Sequence, residues 1–382
     1  MANRTSLIFP ENFLSSRTST SVAVEAFLLI SINFLSLCGN CLVCGAIYRS
    51  HTLRTETNLL LVALAISDIL MAVIVMPMAE TAIIAGLWPF GNTACQIQGY
   101  CVCMLAFVSL QLMTLTACNR YMKIVRPERY KNVFTKRKTL VMILTVTVTS
   151  AALIAVLVFT RANKYSFTFH PGKTICVPLF QSPKYSIMFT SIYAALFVVF
   201  PAVTISFCYI RILQTIKFNK GEYVANKGIH DSKSVLERQD KKLTRIVLAI
   251  ILGFAACWIP CMAIDLVDIS IQGFLPRKIY LAYTYLGLIS SLINPILYGI
   301  MNKFIRREAL KIIYCRKRSE SGRSSILAST AYGVNLIMDS GSKEKLKYLD
   351  SKRSISTLEM VGGELQSENS SSLKRWLTLK QA

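Results

Sequence analysis

Among the long apolar segments of the sequence, one acidic residue, Asp68, lies deep within a segment. A bare charge near the centre of a bilayer costs about 3 kcal/mol, so this carboxyl must have polar partners. Candidate partners from other apolar segments are Asn40, Ser109, Ser290, Ser291 and Asn294. Two kinds of chemistry fit: a carboxylate that binds an ion or water, or a protonated carboxyl within a structural hydrogen-bond cluster.

The remaining reactive side chains do not form a catalytic pattern. The 3 histidines are scattered without metal-ligand spacing, and the sequence has no His-Glu-x-x-His motif and no nucleophile elbow. Most of the 12 cysteines lie within apolar segments, where a thiol packs as a small hydrophobic group. Cys95 and Cys176 differ because each lies at the boundary of an apolar segment, and Cys315 follows the last segment in a basic stretch.

Composition indicates which elements position these residues. Hydrophobic residues make up 53% of the 382 positions and charged residues only 16%, against about 25% charged in soluble domains. Seven apolar segments are long enough to span a bilayer: 22–48, 57–83, 92–125, 139–159, 185–213, 243–269 and 278–300. We therefore predict an all-α membrane protein with a seven-helix bundle. The net charge of +23 falls in loops and tail, so bilayer topology explains it better than nucleic-acid binding.

Lysine and arginine predict the orientation of the chain. They are concentrated after the first, third and fifth segments, which places those loops in the cytoplasm and the N-terminus outside a plasma membrane. The sequon at Asn3 then lies outside, as glycosylation requires. Residues 1–21 lack the basic and apolar regions of a signal peptide, so we expect segment 22–48 to be the first span.

Four regions are expected along the chain. They are an extracellular N-terminus (1–21), a seven-transmembrane domain (22–301), an amphipathic helix on the inner leaflet (302–315) and a disordered cytoplasmic tail (316–382). Cys315, directly after the amphipathic helix, is a candidate for palmitoylation. Serine and threonine residues between 318 and 372 are candidates for phosphorylation.

Short motifs follow one another in order along the chain, in or next to every expected span except the fourth. They are Gly39-Asn40, Leu64-Ala65-Ile66-Ser67-Asp68, Trp88-Pro89-Phe90-Gly91, Asn119-Arg120-Tyr121, Pro201 with Tyr209, Cys257-Trp258-Ile259-Pro260 and Asn294-Pro295-Ile296-Leu297-Tyr298. Together they resemble the rhodopsin-like G-protein-coupled receptors over about residues 22–315. The resemblance implies an extracellular ligand, a heterotrimeric G protein, and a receptor kinase and arrestin as partners. It implies no cofactor, apart from a sodium ion at Asp68, Ser109 and Asn294.

The resemblance also implies residue roles. It pairs Cys95 with Cys176 in a disulfide that fixes the second outer loop. Residues expected to couple to the G protein or to switch conformation are Asn119, Arg120, Tyr121, Tyr209, Asp240, Trp258, Pro260, Asn294, Pro295 and Tyr298. Alternatively, the prolines shape packing alone and the two tyrosines anchor the helices at the bilayer interface.

One departure from the family concerns the arginine motif. Asn119 occupies a position where most members have an acid beside Arg120, so a different carboxylate must hold the arginine at rest. Asp240, twenty residues before Pro260, is the expected partner. The alternative is that Asp240 pairs with Lys241 or Arg245 in solvent.

The expected ligand pocket is mostly apolar. Its candidate residues are Val102, Cys103, Ala106, Phe180, Gln181, Tyr193, Phe197, Trp258, Cys261, Met262 and Asp265, although each could serve helix packing alone. Val102 replaces the aspartate of amine receptors, and Leu288 replaces the retinal-binding lysine of opsins.

Several features are similar to melatonin receptors, including Asn119-Arg120-Tyr121. Phe197 and Leu157, however, replace polar ligand contacts of that subfamily. Glu80, Asp265 and Asp268 would suit a basic peptide or amine, so a peptide receptor of the same fold is the alternative. A transporter is a further alternative, but it would need several deep ionisable groups.

Overall fold

The computed structural model describes residues 14, 17–159, 167–178, 187–188, 191–192, 194–225, 231–271 and 275–314. Within these ranges, the side chains of residues 157–159, 197, 217–225, 231–243 and 268–271 are not described. The predictions for Asn3, Phe180, Gln181, Tyr193, Cys315 and the tail therefore lie outside the described residues. The same holds for the side chains of Leu157, Phe197, Asp240 and Asp268.

Helices account for most of the described chain. We number the principal helices α1 (Ser19–Arg49), α2 (Glu56–Ala85), α3 (Gly91–Val125), α4 (Lys136–Phe159), α5 (Phe200–Ala225), α6 (Asp231–Ile271), α7 (Arg277–Met301) and α8 (Lys303–Ile313). Two shorter helices, His51–Leu53 and Pro127–Val133, lie in loops. Of the described helices, α1, α2, α3, α4, α6 and α7 are long and apolar enough to cross a membrane, and α5 contains a shorter apolar stretch, Phe200–Ile216.

Local sequence signals mark where several helices begin and end. The side chains of Thr18 and Thr55 accept hydrogen bonds from backbone N–H groups in the first turns of α1 and α2. Asn302 caps α8 in the same way. Helix α2 ends at Gly86, which adopts the left-handed conformation that suits glycine at a helix C-terminus.

Two spans contain a π-helical segment of five residues. In α2 this segment is Met71–Val75, and in the fifth span Ala195–Val199 leads directly into α5. Pro260 lies inside α6 and Pro295 inside α7. Each such proline removes a backbone hydrogen bond from its helix.

Helix α3 lies at the centre of the bundle and packs against α2, α4 and α5. Helix α1 packs against α2, α7 and α8, while α6 packs against α7. The approach of α1 to α7 is close at Gly39, where a Cβ atom would lie 2.8 Å from the Pro295 ring. Any larger residue at Gly39 would push these helices apart.

A β-hairpin lies between α4 and the fifth span. Its strands, β1 (Phe167–His170) and β2 (Ile175–Pro178), pair antiparallel, with Phe169 opposite Cys176. Thr174 in the turn adopts a positive φ of 54°, and its N–H donates to the His170 carbonyl over 2.8 Å. We call residues 167–178 the hairpin.

Helices α5 and α6 both extend beyond the spans predicted from apolarity. Helix α5 continues to Ala225 and α6 begins at Asp231, each well into polar sequence. The difference has a simple cause: hydrophobicity marks the bilayer limits, whereas a helix can continue into water when its polar residues favour it.

Candidate functional site

A disulfide marks one end of the bundle. Cys95, in the first turns of α3, is bonded to Cys176 in β2, with 5.5 Å between their Cα atoms. The predicted pairing is therefore confirmed. Arg120 lies 25 residues further along α3, about 38 Å away at helical rise. We call the two ends of the bundle the disulfide end and the arginine end.

Two glutamines of α3 hold the hairpin beside the disulfide. Gln96 donates to the Phe167 carbonyl over 2.8 Å and accepts from the Phe167 N–H over 2.9 Å. Gln98, which is fully buried, accepts from the Cys176 N–H over 2.9 Å and donates to the Val75 carbonyl of α2. The root of the hairpin is thus fixed to α3 by one covalent bond and several hydrogen bonds.

The tip of the hairpin reaches α6 and α7. Lys173 Nζ lies 2.9 Å from Asp265 Oδ1, and only 4% of the lysine side chain is exposed. The Tyr283 hydroxyl donates to the other Asp265 oxygen over 3.2 Å. The ammonium also lies 5.0 Å from the Tyr283 ring centre and 5.7 Å from that of Tyr280. Thr284 of α7 donates to the Lys173 carbonyl.

The described pocket candidates lie on two helices below the hairpin. Val102, Cys103 and Ala106 lie on α3, and Trp258, Cys261, Met262 and Asp265 lie on α6. Ala106 and Cys261 are buried, and the other five are partly buried. Cys261 contacts the Tyr283 carbonyl of α7 through its sulfur, at 3.6 Å. Within this set, Asp265 is the one residue with a charge.

A second charged cluster at the disulfide end joins three helices. Glu25 of α1 forms ion pairs with Arg17, at 3.0 Å, and with Arg277 of α7. Arg17 also donates to the Leu14 carbonyl and to the Ile83 carbonyl of α2. Tyr285 of α7 donates to the Glu25 carbonyl over 2.9 Å.

Asp68 is buried midway between the two ends. Asn294 of α7 donates to its carboxylate over 2.7 Å. Ser109 of α3 forms its hydrogen bond with Ser67, the residue before Asp68, at 3.0 Å. The Oδ1 atoms of Asn294 and Asn40 are buried without a hydrogen-bond partner among the described residues. These oxygens, with the carboxylate, match the donors that a hard cation or a water molecule prefers.

The aromatic switch candidates lie on α5, α6 and α7. Trp258 stacks on Phe254, with 5.6 Å between ring centres. The buried Tyr209 hydroxyl donates to the Thr244 carbonyl of α6 over 3.5 Å. Tyr298 is 1% exposed, and its hydroxyl has no hydrogen-bond partner among the described residues. A water molecule or a moving side chain would satisfy it.

Arg120 at the arginine end is completely buried. One of its terminal nitrogens donates to Asn119 Oδ1 over 2.8 Å, and the same oxygen accepts from Thr57 of α2 over 2.8 Å. The neighbouring Tyr121 ring lies 5.8 Å from that of Phe207 in α5. Asn119 therefore links Arg120 to α2 although it carries no charge.

Comparison with known proteins identifies this arrangement. Residues 39–298 match the family model described as 7 transmembrane receptor (rhodopsin family). The chain belongs to this family. It is a G-protein-coupled receptor of the multi-pass plasma-membrane type, and its family consists of receptors rather than enzymes.

Similar receptors include both small-molecule and peptide types. The receptor is 29% identical to the melatonin receptor type 1A of Ovis aries, over 78% of this chain and 79% of the relative. It is 27% identical to the allatostatin-A receptor of Bombyx mori, over 74% and 78%. It is 26% identical to the neuropeptide Y receptor type 4 of Mus musculus, over 86% and 89%.

The sequence did not reveal two groups of residues that the receptor brings together. Lys173 and Tyr283 were not among the pocket candidates. No local pattern links Lys173 to Asp265, because these two residues are 92 positions apart. Glu25 had a usable signal: it is an acid inside an apolar segment, where a charge needs a partner.

Proposed function

We propose that the receptor binds a small, largely apolar ligand at the disulfide end, and that this end is extracellular. Six of the seven described pocket candidates are uncharged, which is typical of small-molecule sites. A disulfide persists in an oxidising environment, which supports an extracellular location for this end and for the N-terminus. Glycosylation at Asn3 belongs to the same topology.

A peptide ligand is the second candidate. Asp265 provides a carboxylate for a basic side chain, and the allatostatin-A and neuropeptide Y receptors are among the similar proteins. A small molecule and a peptide would differ in their contacts. A peptide should lose affinity when exposed residues at the disulfide end are changed, whereas a small molecule should depend on α3 and α6 residues near Trp258.

At the arginine end, we propose that the G protein contacts Arg120 after α6 moves outward. The observation that carries this role is the burial of an always-charged guanidinium at the end of α3, bonded to a neutral amide. A cleft of about 360 Å³ opens nearby, lined by Val125, Arg211, Gln214 and Thr215. At rest we propose an Arg120–Asp240 ion pair that ties α3 to α6.

The other switch roles complete this mechanism. Trp258 and Pro260 would respond to the ligand, and Pro295 would let the inner part of α7 move. Tyr209 and Tyr298 would then approach each other through water as α6 leaves the bundle. Replacing either tyrosine with phenylalanine should lower ligand-stimulated turnover; unchanged turnover in both variants would contradict this role.

Asp68, Ser109 and Asn294 are proposed to hold a sodium ion. The unpartnered oxygen of Asn294 beside a buried carboxylate supports this assignment. Bound sodium would favour the resting arrangement of α2 and α7. Sodium chloride should then raise the thermal stability of the purified receptor more than potassium chloride does, and Asp68→Asn should remove the difference.

Further partners are proposed from the chain beyond α7. Helix α8 would lie on the inner leaflet, with palmitate on Cys315 adding to its membrane affinity. Phosphorylation of the tail by a receptor kinase would recruit arrestin. Removal of residues 316–382 should then prolong signalling, and unchanged desensitisation would contradict this role.

The main test measures guanine-nucleotide exchange on purified G proteins by membranes that contain the receptor. The wild type should stimulate exchange without ligand above the level of control membranes. Arg120→Ala should abolish this stimulation at matched surface expression, while Arg211→Ala, at the edge of the cleft, should retain much of it. Exchange that survives in Arg120→Ala would exclude the proposed coupling site.

A further inference from the structure

The contact between the hairpin tip and α6 has the composition of a ligand site. A carboxylate, Asp265, faces an ammonium that also lies over the rings of Tyr280 and Tyr283. Carboxylates with aromatic faces are the groups that proteins use to recognise organic cations. Here the cation belongs to the receptor itself, because it is the side chain of Lys173.

The structure holds this lysine in place through its backbone. His170 accepts from the Lys173 N–H over 3.1 Å and contacts Tyr280 edge-on, at 4.8 Å between ring centres. Gly172 packs so closely on Tyr280 that a Cβ atom would lie 2.6 Å from the ring. These contacts hold the turn of the hairpin, and with it Lys173, against Tyr280 of α7.

The Asp265 side chain remains partly exposed although Lys173 packs against it. Its side chain is 33% exposed, whereas that of Lys173 is only 4% exposed. Cys261, one turn further into α6, belongs to the expected ligand pocket. The carboxylate therefore borders both the hairpin and the space in which a ligand would lie.

We propose that Asp265, Tyr280 and Tyr283 form an ammonium-binding subsite, and that the receptor's ligand displaces Lys173 by presenting its own ammonium or guanidinium group. This proposal rests on the proposed receptor function and adds the chemical class of the ligand. Val102 lacks the charge of the usual amine counter-ion on α3, and Asp265 supplies that charge from α6 instead. Departure of the lysine side chain removes the ion pair between the hairpin and α6, while Thr284 still bonds to the Lys173 carbonyl and the disulfide still holds the hairpin to α3.

Competition with a tethered group sets a condition on the ligand. A group on a short tether has an effective concentration in the mM range, so a simple amine would displace Lys173 only at similar or higher concentrations. A natural ligand must gain further affinity elsewhere. The apolar residues of α3 and α6 provide the surface for it, consistent with a largely apolar molecule that carries one cationic group.

The first experiment empties the subsite and refills it. Lys173→Ala in the purified full-length receptor should lower the midpoint of thermal unfolding, and n-butylammonium chloride should restore it. Neutral 1-butanol should not, and the double variant Lys173→Ala/Asp265→Asn should not respond to either compound. Lys278→Ala, at an exposed lysine of α7, is the matched control and should behave as the wild type does. Equal rescue by 1-butanol, or rescue that persists without Asp265, would overturn the proposal.

A second experiment uses the wild-type chain and does not depend on the folding of a variant. The buried Lys173 amine should react slowly with an amine-acylating reagent, as measured by mass spectrometry, and Lys278 should react fast. Saturating n-butylguanidinium, which the reagent does not consume, should raise the rate at Lys173 at least threefold and leave Lys278 unchanged. An unchanged rate at Lys173 would overturn the proposal.

Nucleotide exchange in the same preparations separates this proposal from the receptor function. If all variants fail to stimulate exchange but n-butylammonium still rescues Lys173→Ala, the subsite stands and the proposed coupling fails. If exchange is normal but neither probe acts on Lys173, the coupling stands and the subsite is wrong.

Discussion

At the disulfide end of the receptor, a disulfide joins the hairpin to α3 and the Lys173–Asp265 ion pair joins it to α6. A second cluster of ion pairs, around Glu25, joins α1 to α7 at the same end. At the arginine end, Arg120 is bonded to the uncharged amide of Asn119, which in turn accepts from Thr57. Removing one partner of a buried ion pair costs about 3–5 kcal/mol, whereas a hydrogen bond between a charged and a neutral group contributes about 1.5–3 kcal/mol. Among the contacts of the described residues, the disulfide end is thus marked by a covalent bond and ion pairs, and the arginine end by hydrogen bonds to a neutral amide.

This contrast indicates where the receptor can change shape. A strongly tied end keeps the positions of ligand-contacting residues fixed, and a weakly tied end can reach a second arrangement at a cost of a few kcal/mol. In the proposed mechanism, part of the ligand's binding free energy displaces a contact such as that of Lys173. The resulting change can then shift the arrangement of the helices at the arginine end.

Breaking the disulfide should have the largest effect. Cys95→Ser and Cys176→Ser should each remove most surface expression, because loss of a disulfide that closes a loop of about 80 residues costs about 2–5 kcal/mol. Flow cytometry of an N-terminal epitope measures this. Cys101→Ser, at a free thiol on the same helix, is the control. The double variant should be no worse than either single variant, so additive losses would contradict the pairing.

Breaking the Glu25 cluster should have an intermediate effect. Glu25→Gln leaves Arg17 and Arg277 without their carboxylate, which should lower the free energy of unfolding by about 1–3 kcal/mol. The midpoint of thermal unfolding of the purified receptor would report it. Glu128→Gln, at an exposed acid in the loop after α3, should leave the midpoint unchanged. An equal midpoint for both variants would show that the Glu25 cluster does not stabilise the disulfide end.

Changes at the arginine end should alter activity more than stability. Asp240→Ala should raise ligand-independent nucleotide exchange about fivefold, the effect of removing a contact of about 1 kcal/mol. Surface expression must be matched, and Lys241→Ala serves as the neighbouring control. Basal exchange equal to that of the wild type would place the resting contact of Arg120 elsewhere.

A reverse change at the same end should have the smallest effect. Asn119→Asp adds the charge that most of the family has beside the arginine, which should strengthen the bond to Arg120. Basal exchange should then fall about threefold, because a carboxylate binds the guanidinium more strongly than a neutral amide does. A rise in basal exchange instead would mean that Asn119 does not restrain Arg120 at rest.

The helices and their landmark residues were predictable because their signals are local. Apolar length located the spans, and the motif around Arg120 located the end of α3. The disulfide followed from the family resemblance and is confirmed by the structure. The similar proteins include melatonin, allatostatin-A and neuropeptide Y receptors, which agrees with the two ligand classes that the sequence left open.

The contacts that tie the helices together were not predictable from one sequence. Lys173 and Asp265 are separated by 92 residues, and Glu25 and Arg277 by 252. No periodicity encodes such pairs, since they depend on how helices that are distant in sequence pack. The bond from Thr57 to Asn119 was missed for the same reason, although both residues lie within predicted spans.

The π-helical segment of α2 has a consequence for the phase of that helix. One extra residue in a turn rotates everything beyond it by about 100° relative to an unbroken α-helix. Glu80 lies beyond Met71–Val75, and its carboxylate accepts a hydrogen bond from Asn33 of α1 over 2.7 Å. Residue counting from Asp68 along an ideal helix would assign Glu80 a different face. Deleting one residue from this segment would turn Glu80 away from Asn33 without altering Asp68.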